Sequence, residues 1–518
     1  MRFLYHKIPS LPRLAWCAVM HRNHDVIDIF HGPWVEVRDC FFVEGAWEGK
    51  FSDGDFDQSY LLMGSGGRIR DDDVVFCTPC HVHERLHVIQ TGLKLFVSPS
   101  LAFVLTMAHL KLDENYIHYQ VDLLNMLLRM ANHVGSIPTK NGERINIYHY
   151  RNVAINGELN ITVEAKREPP EFTDFANYKR FLIKSLDSIH KNANEEDRHV
   201  KYSLLSALSS GYDSTACTAI ATEIGCQEGV TFRDARPRKK RHIDDSGKKI
   251  GEKLGLQVTE YDRLEVLNKK GMPEAEFAAC GDLGQDFHFA AFENCLNKKI
   301  LIVGHYGDEV WNRLKMPVKK DILMVDASGS SSIEFRFRIG FIYVPLAYFG
   351  CLSLPSIHRI SNSEEMKPWS VKGRYDRPIP RRIVEEKGVD RHLFGQSKKA
   401  TTILLNRHDS MLSKMNPNSA ESFEQFYQNN KKKRNKLKQA LYDFMFSLWK
   451  INRCIFWRFD AAFRRLHIPV KVPCIIPDRF TQCPGRPSFL IHWGISQIER
   501  HYEIFSDSHE DKRTSSTK

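Results

Sequence analysis

The stretch KYSLLSALSSGYDSTACTAIATEIG, from Lys201 to Gly225, combines three local patterns in a definite order. Tyr202 to Leu208 is short, uncharged and mostly apolar, as is typical of a central strand in a parallel sheet. Apolar residues recur at helical spacing from Ala216 onward, and Gly225 ends that run. The sequence therefore predicts a buried strand, a tight turn and a helix.

The turn between them, SSGYDS at residues 209–214, has the composition of an anion-binding site. Small residues let backbone N–H groups approach an anion, the start of the helix adds its dipole, and Ser209 and Ser214 add hydroxyl donors. Asp213 would repel a bare phosphate, so its presence suggests a Mg²⁺ ion between the carboxylate and a pyrophosphate group. These residues favour an ATP site, and a turn without a ligand is the alternative.

A second motif, KILIVGHYGDEVW from Lys299 to Trp311, has the same organisation. Ile300 to Val303 predicts a buried strand, and Asp308 follows shortly after it. Ligands of open α/β sheets bind at the carboxyl ends of the strands. We therefore expect Asp213 and Asp308 to meet at one edge of the sheet and to share a Mg²⁺ ion.

The chain between and before these motifs alternates between strand and helix patterns. Gly229 to Phe232 and Gln257 to Tyr261 predict strands, and Asp244 to Leu256 predicts a helix between them. Phe172 to His190 predicts an amphipathic helix that leads into the first motif. This alternation predicts an α/β fold with a doubly wound parallel sheet.

The two motifs resemble those of ATP pyrophosphatases, in particular the asparagine synthetase and β-lactam synthetase group. SSGYDS is similar to their SGGxDS pyrophosphate loop, with Ser210 in place of the first Gly, and GHYGDE is similar to their GxGxDE segment, with Tyr306 in place of the second Gly. A Ser supplies the same backbone N–H provided that its φ is negative. The resemblance implies an adenine nucleotide α-hydrolase-like synthetase domain with ATP and Mg²⁺ as cofactors. It assigns nucleotide binding to Ser209, Ser210, Gly211, Asp213, Ser214 and Gly304, and metal binding to Asp213 and Asp308.

The same resemblance extends to Pro378 to Ala400, which is similar to the substrate-side portion of that group. A Lys there stabilises the charge that develops during adenylation, and Lys398 is the first choice, with Lys399 as the alternative. Both could instead be surface lysines. His305 occupies the slot that is Glu in asparagine synthetases and Tyr in β-lactam synthetases. Its imidazole could take a proton from an attacking amine, or could only hydrogen-bond the nucleotide or the loop.

Residues 1 to about 165 have the pattern of a β-rich unit. Within this unit, helices are predicted over Leu101 to Leu110 and Tyr116 to Met130, after the β-favouring runs. The order of elements, and the stretch Leu86 to Leu105, resemble the glutaminase domain of asparagine synthetases. The β-favouring runs are Val35 to Val37, Phe41 to Val43, Tyr60 to Met63, Val74 to Cys77, Leu86 to Gln90 and Leu93 to Val97.

One departure from that domain bears on function. Such N-terminal-nucleophile glutaminases use a Cys as the first residue of the mature chain, whereas position 2 here is Arg2 and the first cysteine is Cys17. We therefore expect a degenerate amidotransferase-like domain without glutaminase activity, as in the β-lactam synthetase branch.

The cysteines and charges exclude several classes of protein. Twelve scattered cysteines favour reduced thiols in a cytoplasmic protein, and in CTPCH at residues 77–81 free core cysteines are favoured over zinc or haem attachment. The net charge of +11 includes basic runs at Arg236 to His242 and Asn429 to Lys438, which favour solvated faces over a polyanion or a membrane surface. Nucleic acid is not the expected partner. Prolines and a glycine interrupt the uncharged stretch Ile339 to Ile357, which favours a buried segment over a membrane span.

The expected organisation is a degenerate glutaminase-like domain at 1–165, an ATP pyrophosphatase synthetase domain at 170–420, a helical C-terminal extension at 421–505 and a disordered tail at 506–518. The expected function is an ATP-dependent ligase that adenylates a small-molecule or glycan carboxylate and transfers it to an amine or ammonia. The alternatives are a tRNA-modifying ATP pyrophosphatase and a catalytically inactive nucleotide-binding interaction protein.

Overall fold

The structure is a computed structural model that describes most of the 518 residues. The described parts are residues 1–127, 134–236, 243–280, 286–315, 318–320, 331–373, 375–401, 414–431 and 486–505, with 440–441, 444–445, 447–448 and 451. Most of the two basic runs and all of the tail from Ser506 lie outside these ranges, as does the rest of the helix predicted after Leu127.

The protein has a mixed α/β fold with three sheets in the described residues. The strands are β1 (Arg2–Lys7), β2 (Trp16–His21), β3 (Val26–His31), β4 (Glu36–Val37), β5 (Phe41–Trp47), β6 (Leu62–Arg70), β7 (Asp73–Cys77), β8 (Leu86–Thr91), β9 (Lys94–Ser98), β10 (Val134–Pro138), β11 (Arg144–Tyr148), β12 (Arg151–Ile155), β13 (Ile161–Ala165), β14 (Ser203–Ala207), β15 (Glu228–Phe232), β16 (Gln257–Tyr261), β17 (Lys299–Val303) and β18 (Ile342–Pro345). The α-helices are Leu101–Ala108, Tyr119–Leu127, Phe175–Asn192, Tyr212–Glu223, Lys248–Lys253, Glu293–Leu296, Gly307–Val310, Ile333–Ile339, Leu354–Ser361, Pro378–Glu385, Pro417–Asn430 and Leu490–Ile498. Glu274–Cys280 is a left-handed turn, in which Ala275 to Ala279 have φ between 45° and 50°.

The first thirteen strands form two sheets, ordered β1-β3-β2-β9-β8-β11-β10 and β13-β12-β7-β6-β5-β4. A core of large apolar side chains lies between them, with Trp16 and Val88 from the first sheet and Phe42 and Phe76 from the second. The six β-favouring runs of the sequence fall on β4 to β9, so these predictions are confirmed.

The third sheet has the order β16-β15-β14-β17-β18, and all four of its strand pairs are parallel. The chain passes from β14 to β15 and β16 on one side of β14, and then returns to form β17 and β18 on the other side. A crevice forms at the carboxyl ends of strands where the order reverses in this way. The junction of β14 and β17 is therefore the place where a ligand site is expected.

Both faces of this parallel sheet are covered. Successive residues of β17 alternate between two apolar cores, with Ile300 and Ile302 in one and Leu301 and Val303 in the other. The first core contains Ala216 and Ile220 of the helix Tyr212–Glu223, which we call the loop helix. The face that carries the loop helix is thus distinct from the face on which Leu301 and Val303 lie.

One prediction in this region is confirmed as a helix but wrong in its bounds. The helix expected over Asp244 to Leu256 begins only at Lys248 and ends at Lys253. Asp244 instead pairs with Asp234 in an isolated β-bridge, and the side chain of Asp245 accepts a hydrogen bond from Ser210 at 2.7 Å. These tertiary contacts outweigh the local helical pattern.

The segment Ile339 to Ile357 is largely buried, and it supplies β18 and the turns after it. Its interpretation as a core segment is confirmed. In the described part of the chain, no helix is long and apolar enough to cross a membrane.

An ion-pair cluster joins the parallel-sheet region to the β-rich region. Arg336 donates from Nη1 to Glu44 Oε2 at 2.5 Å and from Nε to Glu84 Oε1 at 2.7 Å, and all three side chains are buried. At the same junction the ring of Tyr502, from the C-terminal segment, stacks on Phe103 with centroids 4.4 Å apart. The hydroxyl of Tyr502 also donates to Glu334 Oε2 at 2.8 Å, on the helix that carries Arg336, so the described part of the C-terminal segment packs against both regions.

Candidate nucleotide-binding site

The motif at residues 209–214 follows β14 and contains the start of the loop helix, whose twelve residues begin at Tyr212, so Tyr212 to Ser214 are helical where the sequence predicted a turn. Ser209 and Ser214 hydrogen-bond each other through their hydroxyl groups at 2.9 Å, and the backbone N–H of Gly211 donates to Ser209 Oγ at 3.1 Å. Gly211, at the N-cap, has φ −77° and ψ 174°, and Ser210 does not adopt a positive φ. Ser210 therefore fits this position without backbone strain, although the SGGxDS loop that the motif resembles has Gly there.

The second motif lies directly against this turn. A Cβ atom on Gly304 would be 2.3 Å from the backbone N of Ser214, and one on Gly307 would be 2.7 Å from Asp213 Cγ. Real Cβ atoms do not approach other atoms so closely, so only glycine fits at either position. The two motifs, about ninety residues apart in the chain, thus meet where β14 and β17 end, as the sequence predicts.

Tyr306 stands between these glycines with a φ of 73°, in the left-handed region. Its ring is buried and stacks on Tyr348, with centroids 4.3 Å apart and an interplanar angle of 17°. Left-handed backbone costs a non-glycine residue roughly 1–2 kcal/mol. Stacking of the Tyr306 ring offsets part of this cost at a position where the GxGxDE segment that the motif resembles has Gly.

Each of the two predicted metal-binding carboxylates is paired with a basic side chain. Arg377 Nη1 donates to Asp213 Oδ2, and Lys398 Nζ donates to Asp308 Oδ2. Burial raises the pKa of Asp213, the charge on Arg377 opposes that rise, and the charge on Asp308 adds to it. The two carboxylates are therefore close enough to influence each other's ionisation.

Asp213 Oδ1 is buried and has no hydrogen-bond partner among the described residues. An unpartnered carboxylate oxygen beside a second carboxylate is suited to a divalent cation. Mg²⁺ is commonly held by one or two protein carboxylates together with phosphate oxygens and water. The pair Asp213 and Asp308 therefore fits the predicted ion, although the described residues contain no cluster of three or more His, Cys, Asp and Glu side chains arranged to hold a metal.

Four basic residues between 377 and 399 contact the two motifs. Besides Arg377 and Lys398, Arg381 Nη2 donates to the hydroxyl of Tyr212, and Lys399 Nζ donates to Ser210 Oγ at 2.6 Å. Sequence reasoning identified the two lysines but missed both arginines. Four positive side chains beside the two motifs are suited to binding a polyphosphate.

Gly395 also contacts the residues 209–214. Its backbone N–H donates to the carbonyl of Ser210 at 2.9 Å, and its φ is 64°. A Cβ on Gly395 would be 2.3 Å from Cε1 of Tyr212. The segment before the two lysines is therefore fitted closely to the turn.

His305 lies on the other face of the sheet from the loop helix. Its Nδ1 hydrogen-bonds the hydroxyl of Tyr343, which belongs to the second core, and its Nε2 is 4.0 Å from Asp286 Oδ2. The ring of His83, from the β-rich region, is 5.8 Å away. The structure thus brings His305 to the end of β17 but groups it with Tyr343 and Asp286, which sequence reasoning missed. The alternation of side chains along β17 could have predicted the face on which His305 lies, because His305 is an even number of residues from Leu301 and Val303.

The cysteines of the CTPCH stretch are free and buried. Burial raises the pKa of the Cys77 thiol to about 12. Burial also raises the pKa of Cys80, whose sulfur accepts the backbone N–H of Leu62 at 3.2 Å. Both residues pack in the apolar core that also contains the loop helix, as the interpretation of free core cysteines requires.

Comparison with models of known protein families finds no match for this chain. Comparison with curated proteins finds no match either.

Proposed function

We propose that this protein is an ATP-dependent ligase of the asparagine synthetase-like type, which adenylates a carboxylate and transfers it to an amine or ammonia. The observation that carries the proposal is the meeting of the two motifs at the ends of β14 and β17, where Gly304 and Gly307 pack against Ser214 and Asp213. This proximity supplies donors for a pyrophosphate group and two carboxylates for its counter-ion at one edge of a parallel sheet.

The finer fold assignment belongs to the same proposal. A parallel sheet covered on both faces, with a reversal of strand order at the site, supports a doubly wound, adenine nucleotide α-hydrolase-like domain. Two packed sheets before it support a degenerate N-terminal-nucleophile amidotransferase-like domain. Burial of Cys17 within β2 raises the pKa of its thiol, which disfavours a nucleophilic thiolate at the first cysteine. The lack of glutaminase activity stays a prediction.

In the proposed reaction, residues 209–214 would bind the pyrophosphate part of ATP. Backbone N–H groups in the first turn of the loop helix would donate to the phosphate oxygens, together with one hydroxyl of the hydrogen-bonded pair Ser209 and Ser214. Asp213 and Asp308 would hold Mg²⁺, which neutralises charge on the pyrophosphate group when bound. Lys398, next to Asp308, offsets the charge that develops at the α-phosphate, and Lys399 steadies the turn through Ser210.

The chemistry proceeds in two displacements. A carboxylate oxygen of the substrate attacks the α-phosphorus, the bond from that phosphorus to the β-bridging oxygen breaks, and pyrophosphate leaves. The amine nitrogen then attacks the acyl carbon of the acyl-adenylate, AMP leaves with the electron pair of the acyl–oxygen bond, and the nitrogen loses a proton. His305 is the proposed acceptor of that proton, and its contact with Tyr343 orients the ring.

The test is release of pyrophosphate from ATP in the presence of Mg²⁺ and a panel of carboxylic acids, with hydroxylamine to trap the acyl-adenylate as a hydroxamate. Asp308→Asn is the matched inactive control, and Glu252→Gln, an exposed change far along the chain from both motifs, is the neutral control. We expect hydroxamate only with ATP, Mg²⁺ and a suitable acid. ATP binding without hydroxamate from any acid would favour a nucleotide-binding interaction protein instead, and adenylation of tRNA alone would favour the modifying enzyme.

A further inference from the structure

The side chain of Asp213 is held from two sides. Gly307 forms one side, since a Cβ there would be 2.6 Å from Asp213 Cβ and 2.8 Å from Oδ1. Arg377 forms the other side by donating to Oδ2. A carboxylate fixed in this way presents one defined oxygen, Oδ1, which is the buried atom without a partner among the described residues.

Arg377 is itself held firmly in place. Its side chain is 6% exposed, and its guanidinium lies over the ring of Tyr375, 5.0 Å from the centroid. It precedes Pro378, which restricts its backbone, and the helix that starts there also supplies Arg381, whose contact is with Tyr212, the neighbour of Asp213. One helix start thus contacts two consecutive residues of the loop helix.

We propose that Arg377 is a positioning residue for the metal site: it binds Asp213 Oδ2 and so leaves Oδ1 as the oxygen that would bind Mg²⁺. The inference rests on the proposed function, because it concerns the ion that accompanies ATP. Partners that orient a metal ligand in other proteins set metal affinity without touching the metal, and their loss typically weakens it by about 10- to 100-fold. Arg377 would act on Asp213 in the same way, because it contacts the carboxylate that is proposed to bind the metal.

The alternative role for Arg377 is structural, and it makes different predictions. A purely structural ion pair would affect the stability of the fold and leave the concentration of Mg²⁺ needed for ATP binding unchanged. A positioning residue would affect that concentration first. If the guanidinium of Arg377 instead competed with Mg²⁺ for Asp213, its removal would free the carboxylate and tighten Mg²⁺ binding.

The experiment measures ATP binding by titration calorimetry over a series of Mg²⁺ concentrations, without any carboxylic acid, so that no turnover is needed. The variants are Arg377→Met and Arg377→Lys, each also combined with Asp213→Asn. Arg382→Met is the matched control, since Arg382 lies on the same helix and pairs with Glu365 and Glu386 away from the turn. Thermal unfolding of every variant is recorded beside the binding data.

We expect Arg377→Met to raise the Mg²⁺ concentration required for half-maximal ATP binding by about 10- to 100-fold. Arg377→Lys should have an intermediate effect, because it keeps the charge and loses the planar guanidinium. In the Asp213→Asn background neither change should have a further effect, and Arg382→Met should behave like the wild type.

Unchanged or tighter Mg²⁺ dependence in Arg377→Met or Arg377→Lys would overturn the inference while leaving the proposed function intact. An effect of Arg377→Lys that persists fully in the Asp213→Asn background would overturn it as well. If Arg377→Met does not fold, Arg377→Lys alone decides between these outcomes. Absence of ATP binding by the wild type at every Mg²⁺ concentration would overturn the proposed function, and the inference with it.

Discussion

Gly307 lies so close to Asp213 that a Cβ atom on it would be 2.6 Å from the Cβ of Asp213. The two residues come from different motifs, one at the start of the loop helix and the other after β17. Their contact fixes the distance between the start of the loop helix and the second carboxylate. A substitution at Gly307 therefore changes the geometry of the whole candidate site.

We predict that Gly307→Ala separates the two motifs. The added methyl group must push Asp213 or its helix away, at a cost of about 1–3 kcal/mol in the free energy of unfolding. A displacement of about 1 Å near reacting groups can lower a rate by about 100-fold, and we expect a loss of that order in pyrophosphate release. Gly373→Ala is the matched control, because the nearest atom to its added Cβ would be 3.9 Å away. Wild-type turnover in Gly307→Ala would contradict the arrangement described here.

The two carboxylates should act as one unit. Asp213→Asn and Asp308→Asn each remove a charge that Mg²⁺ needs, so each should abolish adenylation while the protein stays folded. The double variant should lose little more than either single variant, because the same ion is already lost. The measurement is pyrophosphate release across a Mg²⁺ titration. Additive losses, or near-normal turnover in one single variant, would show that the two residues do not share an ion.

The sequence predicts this part of the fold well because the signals are local. Alternation and helical spacing are properties of neighbouring residues, and they indicate β14 and β17 to within a residue. They also indicate the loop helix, although it begins at Tyr212, inside the predicted turn. The carboxyl-edge rule then predicts that the two motifs approach each other, and in the structure Gly307, the neighbour of Asp308, lies against Asp213.

Other parts of the site depend on contacts between distant residues. Arg377 meets Asp213 across 164 positions, and no local pattern marks it. Asp245 lies in a segment with a helical pattern, but its hydrogen bond to Ser210 keeps the backbone out of the helix. These residues are identified only once the packing of the segments is known.

The two candidate lysines should differ in what they affect. Lys398 contacts Asp308, so Lys398→Met should lower pyrophosphate release by about 100- to 1,000-fold, the loss typical of one charge-stabilising donor, with a smaller effect on ATP binding. Lys399 contacts Ser210 and the carbonyl of Asp244, so Lys399→Met should mainly weaken ATP binding through the turn. Single-turnover kinetics with direct ATP-binding measurements separate the two effects. The reverse pattern would make Lys399 the adenylation lysine.

A buried carboxyl group at the junction of three parts of the chain should make stability depend on pH. Glu334 accepts a hydrogen bond from Ser100 Oγ, in the β-rich region. It accepts another from Tyr502 Oη, in the C-terminal segment, at 2.8 Å. Burial raises the pKa of Glu334 to about 7 from an ordinary value of 4.5. The folded protein therefore holds this proton more tightly than the unfolded chain does.

The sign of the effect follows from that difference. The contribution of Glu334 to stability is fully present below pH 4.5 and is lost as the pH rises toward 7, by about 3 kcal/mol in all. Glu334→Gln cannot ionise, so the difference in unfolding free energy between wild type and variant should shift in favour of the variant from pH 5 to 7 and stay constant above that. Urea unfolding across this range measures it, with the exposed Glu252→Gln as control. A difference that does not change with pH would mean that the carboxyl group of Glu334 is already ionised in the folded protein at pH 5, despite its burial between the two hydroxyl groups.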